Sequence, residues 1–148
     1  MSITKLTITF SVIVFTSMAF GESKSLSEYQ PKLTEAFQQL LSQADPEVGK
    51  ALFERKCQTC HDYEKSGQHN TGPNLWKVVG RPAGKTSGFE YSSAMAGSNH
   101  VWTPATLNHF LTNTKKAVPG TKMTFRKIRK EKDRANLLRY LMDSSTQP

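Results

Sequence analysis

The sequence predicts an all-α fold, and two observations predict it. Apolar residues recur at helical spacing in stretches that open on helix caps. Between them, residues 62–101 carry Gly67, Gly72, Pro73, Gly80, Pro82, Gly84, Gly88 and Gly97, and no periodicity survives there. At 148 residues the chain is one domain with a modest tail, long enough to bury a core.

Taken in chain order, the first segment reads as an export signal. Met1 to Phe20 carries Lys5 and an apolar stretch from Leu6 to Phe20, and ends at Ala19-Phe20-Gly21. Small residues at the first and third places of that triplet fit cleavage after Gly21, and Ser17-Met18-Ala19 offers a second site. The alternative is an uncleaved membrane anchor. Ile3 to Phe20 is at the short limit for a span, and hydroxyl residues between Thr4 and Thr16 weaken insertion. Either reading exports the folded part to a bacterial periplasm, free or anchored on the inner membrane. Residues 22–45 are expected to hold a polar linker, Glu22 to Gln30, and an extra helix opened by Pro31. Leu33, Phe37, Leu40 and Leu41 form its apolar stripe up to Gln43. That helix either lies on the domain surface or serves as a spacer or partner-binding element.

The domain proper is expected over 46–148. Asp45-Pro46-Glu47 is a helix start, with Asp45 as cap and Pro46 at the first helical position. Gly49 and Phe53 share a face of this helix, and the glycine permits close approach of another helix. The expected partner runs from about Lys132 to Met142, with Leu137, Leu138, Tyr140 and Leu141 on its apolar side. Thr103-Pro104 caps a third helix to Thr112, carrying Leu107, Phe110 and Leu111.

The first helix leads into Cys57-Gln58-Thr59-Cys60-His61, a C-x-x-C-H run that is the signature of covalent c-type haem attachment. Two residues between the cysteines let both sulfurs reach the vinyl groups on one porphyrin edge, and His61 then swings under the iron. These are the only two cysteines. A thioredoxin-like motif would want a βαβ context, and a zinc site four ligands in paired spacing; neither is supplied. The irregular stretch 62–101 would ordinarily argue against a compact domain. It is what wrapping a haem requires.

The formal net charge is +8 and the pI about 9.6, with a mean hydropathy of −0.52 that excludes a polytopic membrane protein. From Lys77 to Lys130 ten basic residues (Lys77, Arg81, Lys85, Lys115, Lys116, Lys122, Arg126, Lys127, Arg129, Lys130) face one acid, Glu90. Such a surface could suit nucleic acid. Export argues against that, leaving an acidic protein surface or anionic lipid headgroups.

A second iron ligand is sought among methionines and histidines. Met123, in Val118-Pro119-Gly120-Thr121-Lys122-Met123-Thr124-Phe125, leaves enough chain after His61 to circle a porphyrin and sits on a loop pinned by a Pro-Gly turn. Met95 is a rival. His69, His100 and His109 are expected to be surface or hydrogen-bonded residues.

From about Pro46 to Leu141 the chain resembles the class I cytochromes c of the mitochondrial and bacterial c2 type. The resemblance rests on Cys57 to His61, Gly72-Pro73-Asn74-Leu75, Gly80-Arg81, Gly88-Phe89-Glu90-Tyr91, Trp102, Pro119 to Met123 and Leu138-Arg139-Tyr140-Leu141. It implies a small fold of helices and loops around one haem c, with Met123 as axial sulfur. The Pro73 carbonyl would accept the free imidazole N–H of His61. Arg81, Tyr91 and Trp102 would bond the haem propionates, and Gly49 and Phe53 would cross Leu137 and Tyr140. Lys56, Lys115, Lys116 and Lys122 would be part of a lysine ring for redox partners.

Three positions depart from the family pattern. Phe110 replaces a tyrosine and Met95 an asparagine, which makes the distal side drier. Thr114 replaces a proline, from which a looser ligand loop is expected.

The function expected is a monomeric periplasmic carrier of single electrons, not an enzyme. By family analogy it runs from a bc1-type donor to a terminal oxidase or photosynthetic reaction centre. A membrane-tethered relay is the alternative, and a haem enzyme or gas sensor with an open iron site is a further one.

Overall fold

The computed structural model describes residues 24–146, so the proposed signal or anchor lies outside the described residues. Six helices follow in chain order: α1 (Glu35–Ser42), α2 (Pro46–Lys56), α3 (Ser93–Ala96), α4 (Pro104–Thr112), α5 (Thr114–Ala117) and α6 (Glu131–Thr146). Among the described residues the only β pairings are two isolated bridges, so the all-α expectation holds. No helix of these residues is long and apolar enough to cross a membrane.

Local capping accounts for the helix starts. The Asp45 carboxylate accepts the N–H groups of Glu47 (2.8 Å) and Val48 (3.3 Å) at the mouth of α2. Thr103 and Thr106 form a reciprocal capping box on α4. At α1 the expected opening on Pro31 is corrected. The Thr34 hydroxyl accepts the Phe37 N–H (3.2 Å) and starts the helix at Glu35, leaving residues 31–33 outside it. The single-turn helices α3 and α5 are additions. Ser92 and Asn113 cap them.

The core is organised by α2 crossing α6. A Cβ on Gly49 would stand 2.7 Å from the Asn136 carbonyl carbon and 2.8 Å from the Tyr140 Cβ, so only glycine allows this approach. Asn136 also accepts the Asp45 N–H through its side-chain oxygen (3.0 Å). Beside the crossing, Phe53, Tyr63 and Tyr140 form an aromatic cluster with ring centroids 4.5–5.7 Å apart. Buried Arg134 ties the other flank. It donates to Asn108 on α4 and to the carbonyls of Ile128 and Arg129, and lies 5.9 Å from the Phe37 ring on α1.

The linker expected over Glu22–Gln30 is, from Lys24 onward, laid down on the domain. Leu26 and Phe37 are each 1% exposed, among the most buried large side chains of the described residues. The Leu26 N–H donates to the Ala117 carbonyl at 2.7 Å. His109 bonds the Lys24 carbonyl through Nε2 (2.6 Å) and meets the edge of Tyr29 at 5.3 Å.

Candidate haem site

The end of α2 delivers the attachment motif. The Cys57 N–H still bonds the Phe53 carbonyl (2.7 Å), and the Cys57 carbonyl then accepts from both Cys60 (3.0 Å) and His61 (2.9 Å). The run is thus one tight turn that places both sulfurs and the imidazole by backbone geometry. Both thiols are free and half-buried. Burial pushes the Cys57 thiol up to about 11, against the opposing charge of Lys56. A redox nucleophile needs the reverse shift, so the thiol-exchange reading loses its chemistry. Among the described residues no group of three or more His, Cys, Asp or Glu is placed to hold a metal ion.

His61 is oriented from behind. Its Nδ1 lies 2.8 Å from the Pro73 carbonyl, which can only accept, so Nδ1 carries the proton and Nε2 keeps its lone pair. Burial lowers the imidazole's affinity for a proton, with the Pro73 bond opposing and Arg81 adding to the effect. A neutral imidazole with Nε2 free is the form a metal takes. Gly72 secures the placement, since a Cβ there would come within 2.6 Å of the His61 Nδ1.

A second wall is built by the pairing of residues 80–83 with 100–102. The Gly80 N–H bonds the Trp102 carbonyl (2.8 Å), Trp102 N–H the Arg81 carbonyl (2.9 Å), and Ala83 N–H the His100 carbonyl (2.8 Å). Arg81 and Trp102 are thereby adjacent. The Arg81 guanidinium donates to the carbonyls of Asn74 (2.9 Å) and Trp76 (3.3 Å), while its buried Nε has no partner. Burial lowers the Arg81 pKa, and Tyr91 opposes that shift. Tyr91 itself packs edge-on to Phe89 at 4.9 Å. A partly buried cation with an unused, buried donor suits a carboxylate. Free thiols in thioether spacing, an imidazole with Nε2 available and this orphan donor together fit a haem.

Met123 is half-buried and packs against the core, its N–H on the Thr121 hydroxyl (3.3 Å). The looser loop expected from Thr114 is corrected. Thr114 is fully buried, its N–H bonds the Arg126 carbonyl (3.0 Å), and its hydroxyl donates to the Phe125 carbonyl, so the loop's far end is tied to the start of α5. Lys115 adds a bond to the Thr121 carbonyl (2.5 Å). Its ammonium is therefore engaged within its own loop. Lys56, Lys116 and Lys122 are exposed. Met95 lies in the core with the Ser98 hydroxyl 4.0 Å from its sulfur, and Phe110 packs on Trp102 at 5.1 Å.

The histidines divide. His69 accepts from the Asn74 N–H at Nδ1 (3.0 Å) and donates from Nε2 to the Ser87 carbonyl (2.9 Å), joining two loops as a hydrogen-bonded residue. His109 is bonded as described. His100 is the correction: it is 3% exposed, stands edge-on to Trp102 at 4.4 Å, and neither ring nitrogen has a partner with hydrogen-bond geometry. Nothing in the spacing around position 100 signals burial, because a lone histidine in an irregular loop has no periodicity.

Burial lowers the His100 pKa below 6.5, with the Ser98 backbone opposing only in part. The unfolded chain therefore binds this proton more readily, and the stability of the fold is full above about pH 6.5 and lost as pH falls below it. His100→Leu is expected to flatten that acid-side loss. Thermal midpoints of the haem-loaded protein at pH 7.5 and pH 5 check it: the drop between them shrinks in the variant.

Comparison with known proteins adds an independent line. A family model described as Cytochrome c matches residues 46–145. The chain is 44% identical to cytochrome c of Kluyveromyces lactis over 94 residues, covering 64% of this chain and 86% of that protein. It is 40% identical to cytochrome c of Ginkgo biloba over 103 residues, 70% and 91% of the two chains. A cytochrome c homolog of Bradyrhizobium diazoefficiens is 41% identical over 116 residues, 78% of this chain and 62% of that one.

Proposed function

We propose, since this chain belongs to the cytochrome c family and is an electron carrier with one covalent haem c, that it works in the periplasm and that His61 and Met123 would ligate the haem iron. The observation that carries the ligand reading is the Nδ1 bond of His61 to Pro73, which leaves Nε2 for iron. A haem bound here supplies an iron that exchanges one electron between its ferric and ferrous states.

The chain's residues do the rest. Cys57 and Cys60 would hold the haem by thioether bonds. Pro73 and Gly72 hold the His61 ring in one orientation, so little rearranges when charge changes. Arg81, whose Nε has no partner, would bond the propionates together with Tyr91 and Trp102. A thioether ligand raises the reduction potential relative to harder donors.

Periplasmic location rests on the export reading of residues 1–21. Lys56, Lys116 and Lys122 are read as the docking cations, with Lys115 contributing charge from a bonded position. They steer acidic surfaces of a bc1-type donor and of an oxidase or reaction-centre acceptor into brief contact, which favours fast association over tight binding.

The test is spectroscopic, on the full chain expressed with a haem-attachment system. Expected are a far-red sulfur-to-iron band in the ferric protein and a ferrous spectrum that carbon monoxide leaves unchanged. Absence of the band with ready carbon monoxide binding would replace the carrier by a haem enzyme or gas sensor.

A further inference from the structure

Residues 24–43 precede the stretch that the family model matches, residues 46–145, and they bury two large apolar side chains in the domain. Leu26 is seated where α5 ends. Its N–H takes the Ala117 carbonyl, one of the terminal carbonyls that a helix leaves without an internal partner. Ala117 and Val118 are themselves buried, and Val118 is the first residue of the loop that carries Met123. Ser25, Ser27 and Glu28 line, together with Val118 and Pro119, an open cleft of about 500 Å³. Further ties of the loop lie beyond the turn, at Thr121 and at Phe125 and Arg126. At the entrance, the Val118 N–H bonds the Thr114 carbonyl (3.0 Å) and the Thr121 N–H the Val118 carbonyl (3.1 Å), and the N-terminal segment adds its bond to the Ala117 carbonyl. The other end of that segment is fastened independently, with Phe37 buried beside Arg134 of α6.

We infer that residues 24–43 form a strap that holds the entry of the Met123 loop in place, with Leu26 as a positioning residue that keeps the thioether on the iron. The inference rests on the reading of Met123 as axial ligand. Local opening of a loop has its own free energy, lower than that of global unfolding, and is set by the contacts that opening breaks. The strap raises that opening free energy without touching the haem ligands.

The experiment uses the ferric haem-loaded full chain and imidazole as the probe, since imidazole reaches the iron only when the sulfur leaves. Loss of the far-red band is titrated in Leu26→Ala and in Leu52→Ala, the second a buried leucine of α2 remote in sequence from the strap. The apparent affinity of Leu26→Ala for imidazole is expected to rise about tenfold or more, as ~1.4 kcal/mol of opening free energy would give. Leu52→Ala, at a comparable loss of thermal midpoint, should leave it unchanged. Phe37→Ala, which frees the other end, should move it the same way as Leu26→Ala. Should Leu26→Ala not accumulate, Leu26→Val serves, read also by amide exchange at Ala117 and Val118, which should quicken. An unchanged imidazole affinity in the strap variants, or an equal rise in Leu52→Ala, would overturn the strap while leaving Met123 as ligand. A wild-type protein without the far-red band would overturn the ligand reading and the strap with it.

Discussion

Replacing Met123 by leucine is expected to open the iron while leaving the fold and the covalent haem in place. Leucine matches methionine in volume, and volume-conserving swaps in a packed site cost less than about 1.5 kcal/mol. The hydrogen bonds of the loop run through the Thr114, Ala117, Val118, Thr121, Phe125 and Arg126 carbonyls and the Thr121 hydroxyl, so none uses the methionine side chain. What is lost is the thioether. The ferric far-red band should vanish, the ferrous protein should bind carbon monoxide, and the reduction potential should fall on the order of 0.1 V or more, within the roughly 0.8 V that axial ligands span. Retained far-red absorption would transfer the ligand role to another sulfur, with Met95 first in line.

Gly49→Val is expected to be the most damaging substitution for stability. The new side chain would need to occupy space already taken by the Asn136 carbonyl and the Tyr140 Cβ, neither of which is a flexible tip that can swing aside. Relief requires α2 and α6 to separate, which strains the Asn136 bond to Asp45 and the Phe53, Tyr63 and Tyr140 cluster together. Overpacking of this kind costs about 3 kcal/mol or more. For a domain of this size the thermal midpoint should fall by on the order of 10 °C. Gly80→Ala is the informative contrast: its φ of +91° is unfavourable to alanine, but no atom lies within 4 Å of the added Cβ. Its cost should be confined to backbone strain of about 1 kcal/mol. Melts of both variants as holoproteins would separate a crossing that is sterically closed from a turn that is only conformationally selective.

Which features were legible in the sequence follows from how far the causes reach. Asp45-Pro46 and Thr103-Pro104 announce α2 and α4 because a cap acts on N–H groups two or three residues away. The haem motif is legible for the same reason, as a single turn on the Cys57 carbonyl sets its geometry. Pro31 misled because its fixed φ is only permissive, whereas the Thr34 hydroxyl makes an actual bond. The helices α3 and α5 span four residues each, too few for a periodicity to appear. Thr114 was read through the loss of a proline's rigidity. Its compensation is a tertiary bond to a carbonyl 11 residues on, which local reasoning does not reach. The seating of Leu26 and the isolation of His100 are tertiary in the same sense: a serine-rich flank and an irregular loop look solvated until the surface they cover is known.

The helix crossing also sets an order of events in assembly. Asp45 and Asn136 are 91 residues apart, so the core closes only after nearly the whole domain has been delivered, and closing so long a loop is entropically expensive. Cys57 and Cys60 lie immediately after α2, early in the chain. In the closed protein, burial holds the Cys57 thiol at a pKa of about 11, whereas an unburied cysteine ionises near 8.5. The Cys57 thiol is thus more ionisable before the core closes than after. Attachment of the cofactor is therefore expected to be faster on the open chain than on the closed one.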